Sequence, residues 1–285
     1  MIDPSLLPPR GLWAPAAEST GVPAGKRFVG HVGECRDRLA ARLRRQAHEH
    51  VLRDPFLRRL LDELVLAHET AAQIVGAVLV RSLAAGHAEA ALHELLLQVL
   101  AEDAGVLLAL EADLDAVTTR DPACRSALHA LLHLKGFQAL QLHRVAHSLW
   151  RRQRDGAALW LAGQSALALG VDIHPAVPVG RGVLFDHASG VVIGETAVID
   201  DDVCILHGVT LGATGKQRGD RHPKVRRGAV LGAGACVLGN IEVGAMSRVG
   251  AGSVVLAPVP PHATVAGVPA RVVRERDAPA VIAAA

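Results

Sequence analysis

Apolar residues recur at every sixth position through the second half of the chain: Ile173, Val179, Phe185, Val191, Ala197, Val203 and Val209. After the ten residues 215–224 the beat resumes at Val225, Leu231, Val237, Val243, Val249 and Val255. A period of six matches neither the helix at 3.6 nor the simple strand at 2. It fits a parallel β-helix built of hexapeptide repeats. Each hexad makes one side and a corner of a triangular prism, so three hexads complete a coil. The β-branched residue points inward, and the small residue that often follows, as in Val179-Gly180, Leu231-Gly232, Val243-Gly244 and Val249-Gly250, takes the tight corner.

Upstream the rhythm is helical. Leu57, Leu60, Leu61, Leu64 and Val65 form one amphipathic stripe, and Leu92, Leu95, Leu96 and Val99 another. Asp54-Pro55 and Asp121-Pro122 read as helix starts, with Asp as N-cap and Pro in the first turn. Gly156 and Gly170 read as interruptions or ends of the late helices. The period changes at Gly170-Val171. These patterns divide the chain into a Pro/Gly-rich extension over 1–30, an all-α domain over 31–170, a β-helix with one excursion loop over 171–270, and a tail over 271–285. The fold class is α+β. Pro258, Pro260 and Pro261 break the strand pattern, so Arg271 to Asp277 is expected to be a cap or a loose end.

Composition changes the picture little. At 285 residues the chain can build two cores, and its 50% hydrophobic content is nearly all Ala, Leu and Val, with 2% aromatics and no Tyr. Thirty basic against 28 acidic residues leave a net charge of +2, which excludes a strong field toward nucleic acid or a membrane surface. The basic runs Arg36 to Arg45 and Arg151 to Arg154 read as solvated helix faces. Cys35, Cys124, Cys204 and Cys236 form no CxxC pair and no disulfide spacing, so a reduced, cytoplasmic setting is expected. The apolar stretch from Ala157 to Val171 contains Gln164 and is too short to span a bilayer. No basic-then-apolar leader pattern opens the chain.

In a regular solenoid, chemistry is sought where the repeat is broken. Three departures stand out: Asp186-His187, His207 one coil later, and Arg221-His222-Pro223 in the excursion. Counting eighteen residues per coil stacks Asp172 under Gly190, three residues from His187. A carboxylate beside that imidazole would fix its tautomer and make it a general base. The alternative is that Asp172 caps a turn and His187 is a solvated corner residue. In the loop, Arg221 suits a substrate carboxylate, and Lys216 or Lys224 a phosphate; the alternative is a solvated insertion. His87, His93, His129, His133 and His143 fall on helical faces and read as packing or surface residues, and Cys204 and Cys236 as structural.

Several segments are similar to one family. Gly170-Val171-Asp172-Ile173-His174-Pro175, Asp186-His187-Ala188-Ser189-Gly190 and Gly194-Glu195-Thr196-Ala197-Val198-Ile199 resemble the serine O-acetyltransferases. So do Val209-Thr210-Leu211-Gly212, Gly219-Asp220-Arg221-His222-Pro223-Lys224, Gly239-Asn240-Ile241-Glu242-Val243-Gly244 and Gly267-Val268-Pro269-Ala270. In the helical half Arg120-Asp121-Pro122-Ala123 and Lys135-Gly136-Phe137-Gln138-Ala139-Leu140-Gln141 match as well.

The resemblance implies a left-handed parallel β-helix and acetyl transfer from acetyl-CoA to the hydroxyl of L-serine, the first step from serine to cysteine, with no metal. It implies His187 as general base, Asp172 as its orienting partner, and Asp121, Asp186, Arg221, His222 and Glu195 around the amino acid. Ala213, Thr214, Ala233, Arg248 and Ala251 would line the CoA groove. It also implies a homotrimer or a dimer of trimers, with each site spanning two subunits. Two departures matter. Gly212-Ala213-Thr214-Gly215 carries Ala where members often have a second Gly. The chain ends Val281-Ile282-Ala283-Ala284-Ala285 instead of in the Ile through which members bind cysteine synthase, which counts against that partnership.

Rival readings are a hexapeptide-repeat acetyltransferase for homoserine, a sugar or an antibiotic, a zinc hydratase using His187, His207 and His222, and a non-catalytic scaffold.

Overall fold

The structure is a computed structural model that describes residues 28–83, 89–216 and 218–275, with side chains of the first helix from Arg38 onward. Most of the proline-rich extension and the Ala-rich end lie outside the described residues. The helical part comprises α1 (Phe28–Arg53), α2 (Arg58–Leu61), α3 (Ala71–Leu83), α4 (Glu89–Glu102), α5 (Ala104–Arg120), α6 (Ala127–His133), α7 (Lys135–Arg151) and α8 (Asp155–Leu169). The two stripes face inward: Leu61, Leu64, Val65, Leu92, Leu96 and Val99 are all buried in one core.

Helix punctuation follows the expected chemistry at two sites and departs from it at two others. Asp54 caps a short 3₁₀ turn by accepting from the Phe56 N–H. Gly170 ends α8 in the left-handed conformation at φ 69°, and Val171 begins the first strand. Asp121, however, ends α5 instead of starting a helix. The proline after it holds it extended, at φ −94° and ψ 107°, and its carboxylate accepts from Ala123 N–H. Ser126 caps the next helix, α6. Gly156 interrupts nothing: it lies in the first turn of α8, while the preceding reversal uses Gln153 at φ 59°. That turn also takes Arg152, Gln153 and Arg154 off the helix face expected for them.

The chain then winds through three parallel faces in strict rotation. The first face holds β1 (Val171–Ile173), β3 (Val191–Ile193), β6 (Thr210–Gly212), β9 (Cys236–Leu238) and β12 (Val254–Val255). The second holds β4 (Val198–Ile199), β7 (Lys224–Val225) and β10 (Glu242–Val243). The third holds β2 (Leu184–Asp186), β5 (Cys204–Leu206), β8 (Val230–Leu231), β11 (Arg248–Val249), β13 (Thr264–Gly267) and β14 (Ala270–Arg274). Three columns of side chains fill the prism: Ile173–Ile193–Leu211–Val237–Val255, Val179–Ile199–Val225–Val243–Val259, and Phe185–Ile205–Leu231–Val249–Val265.

The parallel β-helix therefore forms as the period of six predicts, but the beat slips. Ile173 pairs with Ile193, twenty residues on, and not with Val191. Each side buries two residues two apart, such as Val191 with Ile193 and Val203 with Ile205, because alternate residues of a strand share a face. The rhythm read from sequence counts the column residue as far as Phe185, the other member of each pair from Val191 to Val209, and the column residue again from Val225. Three slips remain once the columns are aligned, the last being Val255 to Val259, which spans only four residues. Phe185 to Ile193 spans eight residues instead of six, and Leu211 to Val225 spans fourteen, so the excursion adds eight residues and not ten. The start of the tail is also a strand: β14 turns back antiparallel on β13.

Candidate active site

The first slip falls at Asp186-His187. Elsewhere the corner between the third and first faces is one residue and a left-handed glycine: His207-Gly208, Ala233-Gly234 and Ala251-Gly252, with glycine φ of 69°, 68° and 65°. Between Asp186 and Gly190 there are three residues, so the chain bulges. His187 and Ala188 carry the bulge at φ 55° and 61°, a region non-glycine residues seldom occupy. Ala188 is fully buried, and the His187 side chain is 79% exposed. From below, α7 supports the turn. Gly136 lies so close that a Cβ there would collide with the Phe185 carbonyl and meet Ala188 Cβ at 3.1 Å.

Carboxylates gather on this corner. His187 Nε2 stands 3.8 Å from Asp186 Oδ1, within ion-pair range but beyond a hydrogen bond. The His207 ring lies edge-on to it, with centroids 6.1 Å apart and planes at 73°. Burial pushes the Asp186 carboxyl above its ordinary range; His187 opposes that shift and Asp121 reinforces it. Asp121 is held here by its neighbour Arg120, which donates to both the backbone carbonyl and Oδ1 of Asp202, each at 2.9 Å. Cys204, just inside, is buried, and that burial pushes its thiol up and keeps it protonated.

A second cluster occupies the next corner, at the other end of β3. Arg221 donates to Glu195 Oε2 at 2.8 Å, and this bond holds the Glu195 carboxyl below its usual range. Thr196 is the hub: its Oγ1 accepts from the backbone N–H groups of Arg221 at 2.9 Å and His222 at 3.1 Å, and lies 2.8 Å from His222 Nδ1. Lys224 Nζ donates to Asp220 Oδ1 at 2.6 Å and to Thr196 O at 2.8 Å, and Asn240 donates to Asp220 Oδ2. The His222 ring is buried against Gly194, where any side chain would overlap it. Burial and the neighbouring Arg221 lower the His222 pKa, with Glu195 opposing. The second half of the excursion is thus tied to the prism.

The expected residues fall into separate groups in one chain. Asp121, Asp186 and His187 share one corner; Glu195, Arg221 and His222 share the next, with β3 between them. Asp172 stacks on Val192, not under Gly190, because the coil is twenty residues and not eighteen. It is exposed in β1, and its carboxylate makes no hydrogen bond or ion pair among the described residues. Ala233 and Ala251 line up under His207, whereas Ala213 and Thr214 lie past β6 on the far side of the first face. Arg248 sits in β11, three residues before Ala251. The zinc reading fails on geometry. His222 is committed to Thr196 on the other corner, and the described residues hold no group of three His, Cys, Asp or Glu suited to a metal.

Sequence reasoning missed Gly136, Thr196 and Arg120 as parts of the site. A beat that stretches from six to eight at Phe185 was the one available signal.

A helical domain thus precedes a parallel β-helix of six-residue repeats that carries an exposed imidazole on a bulged corner, the architecture of a hexapeptide-repeat acyltransferase. Residues 39–142 match the family model described as "Serine acetyltransferase, N-terminal". The serine acetyltransferase of Salmonella typhimurium is 49% identical over 221 residues, 77% of this chain and 81% of that protein. The crystal structure of the Brucella abortus enzyme in complex with coenzyme A superposes with a TM-score of 0.81 at 43% identity, covering 84% of this chain and 96% of that one. A serine acetyltransferase in complex with cysteine gives 0.80 at 44% identity, covering 83% and 99%. The chain belongs to the serine acetyltransferase family.

Proposed function

We propose that this protein is an acetyl-CoA-dependent serine O-acetyltransferase, forming O-acetyl-L-serine and CoA directly in a ternary complex, with His187 as the base. One observation carries the reading: the exposed His187 imidazole is lifted on a bulge beside half-buried carboxylates, in a chain whose relatives carry this activity along most of their length. A serine hydroxyl is a weak nucleophile until its proton leaves. His187 Nε2 takes that proton as the serine Oγ bonds to the thioester carbonyl carbon. When the C–S bond breaks, the imidazolium returns the proton to the CoA sulfur, and the base is regenerated.

Asp121 and Asp186 suit the ammonium group of serine, and Arg221 with His222 its carboxylate. Asp172, which meets no partner among the described residues of its own chain, would orient the His187 of a neighbouring chain. Ala213, Thr214, Ala233, Arg248 and Ala251 would flank CoA. The two half-sites sit on adjacent prism corners, which supports a homotrimer or pair of trimers in which a neighbouring chain would complete each site. The unpaired cysteines support a cytoplasmic setting, and among the described residues no helix is long and apolar enough to cross a membrane. A relative's complex with cysteine supports inhibition by cysteine at the serine position.

The test is acetyl-CoA turnover with serine, homoserine and an amino sugar, in wild type and His187→Ala. Serine as the best acceptor and a loss of about 10²–10⁴-fold in the variant are expected. Homoserine or the sugar outrunning serine would move the assignment to the rival acetyltransferase.

A further inference from the structure

The solenoid sets a second imidazole at this corner, and the transfer as written leaves it idle. Asp186 is in register with Leu206, so the residues after each strand, His187 and His207, emerge together on successive coils. Gly208 N–H donates to Ser189 O, Gly234 N–H to His207 O and Gly252 N–H to Ala233 O, each at 2.8 Å. These bonds stack the corner residues as a ladder running from the bulge to His207, Ala233 and Ala251. Below His207 the rungs carry only methyl groups. At His207 the rung carries a ring, and that ring stands edge-on to His187.

We infer that His207 is a positioning residue for His187: its ring packs edge-on against the exposed imidazole and holds it in one orientation. The inference rests on His187 being the base. His187 has no hydrogen bond from its own turn to fix it, since Asp186 Oδ1 is 3.8 Å away. An exposed side chain without such a bond loses rotamer freedom only if something packs on it. The His207 edge is that contact. Asp186 lies beside the ring, with Asp121 at the end of α5 behind it. Arg120 is committed to Asp202, and Lys135 opens the helix under β2. Asp186 responds to both imidazoles, so both rings stand near it.

The experiment compares wild type, His207→Ala and His207→Gln in kcat and KM for serine at one pH. In His207→Ala, kcat is expected to fall about tenfold with the serine KM little changed, the usual scale for a misplaced catalytic group. His207→Gln restores a planar side chain, so kcat recovers. His207→Ala with wild-type kcat, or His207→Gln with no recovery, overturns the inference. Near-wild-type turnover in His187→Ala overturns instead the assignment of the base on which it rests.

Discussion

Arg144 grips both oxygens of Asp113, Nε to Oδ2 at 2.7 Å and Nη2 to Oδ1 at 2.8 Å, in the buried seam between the helices and the prism. Arg144 belongs to α7 and Asp113 to α5, yet both reach the solenoid. Nη2 also donates to Gly180 O at 2.6 Å, and Val183 N–H donates to Asp113 Oδ1 at 3.0 Å. Burial pushes the Asp113 carboxyl up; four converging donors, counting Gln141 Nε2, hold it ionised. Three and four residues after Val183 come Asp186 and His187. The pair therefore fixes the approach to the base, and Asp113 lies on α5, the helix whose end carries Asp121.

Breaking that pair should cost far more than a surface ion pair. Arg144→Met leaves a buried carboxylate without its partner, and about 3–5 kcal/mol of stability should be lost. Denaturant unfolding at neutral pH measures it. A loss within experimental error of zero would mean that Asp113 finds other partners or protonates without cost.

Gly136→Ala tests the support under the bulge. The added methyl meets a backbone carbonyl that cannot swing aside, so α7 and the Phe185–Ala188 turn must separate. A loss of about 1–3 kcal/mol is expected, as for overpacking elsewhere, with turnover falling more than serine affinity. Thermal unfolding and steady-state kinetics on the same preparation read both effects.

Gly194→Ala acts on the other corner. Its methyl would displace the His222 ring and loosen the Thr196 hub, leaving His187 untouched. The serine KM should rise about tenfold or more, with the acetyl-CoA KM nearly constant. Equal changes in the two constants would argue against His222 at the amino-acid position.

Acid sensitivity should come largely from one buried ring. His143 is fully buried, donates through Nε2 to Val177 O at 3.0 Å, and burial lowers its pKa to about 3. A histidine depressed in the folded state takes up its proton more readily when unfolded. Its contribution is thus intact above pH about 6.5 and is lost as pH falls from there toward 3, at up to about 1.4 kcal/mol per unit. His147, lowered by burial as well, adds to the slope. His143→Gln keeps a donor for Val177 O and cannot charge. Its unfolding midpoint should fall less steeply between pH 7 and 5 than that of wild type, and an unchanged slope would relocate the effect.

The solenoid was legible in the sequence because its core repeats: a valine every six residues is a long-range signal written locally. The phase was not, because Val191 and Ile193 both point inward and either can be counted as the beat. That ambiguity hid the two added residues at the corner and carried the Asp172 register with it. The exposure of His187 and the break at Asp186-His187 were readable, since both are departures from a regular pattern. Gly136, Thr196 and Arg144 were not, because their work is done on partners 25 or more residues away, where no spacing rule reaches. Asp121 was assigned to the wrong end of a helix: Asp-Pro marks a stop as readily as a start, and only the chain beyond decides.

The reversed strand Ala270–Arg274 has a meaning for solubility. A stack of parallel rungs could in principle grow without limit by adding another molecule's first rung to its last. By doubling back on Thr264–Gly267 and presenting exposed Arg271 and Arg274, the chain offers newcomers a charged edge of opposite polarity on its third face. Direction and charge both oppose growth along the axis from that face.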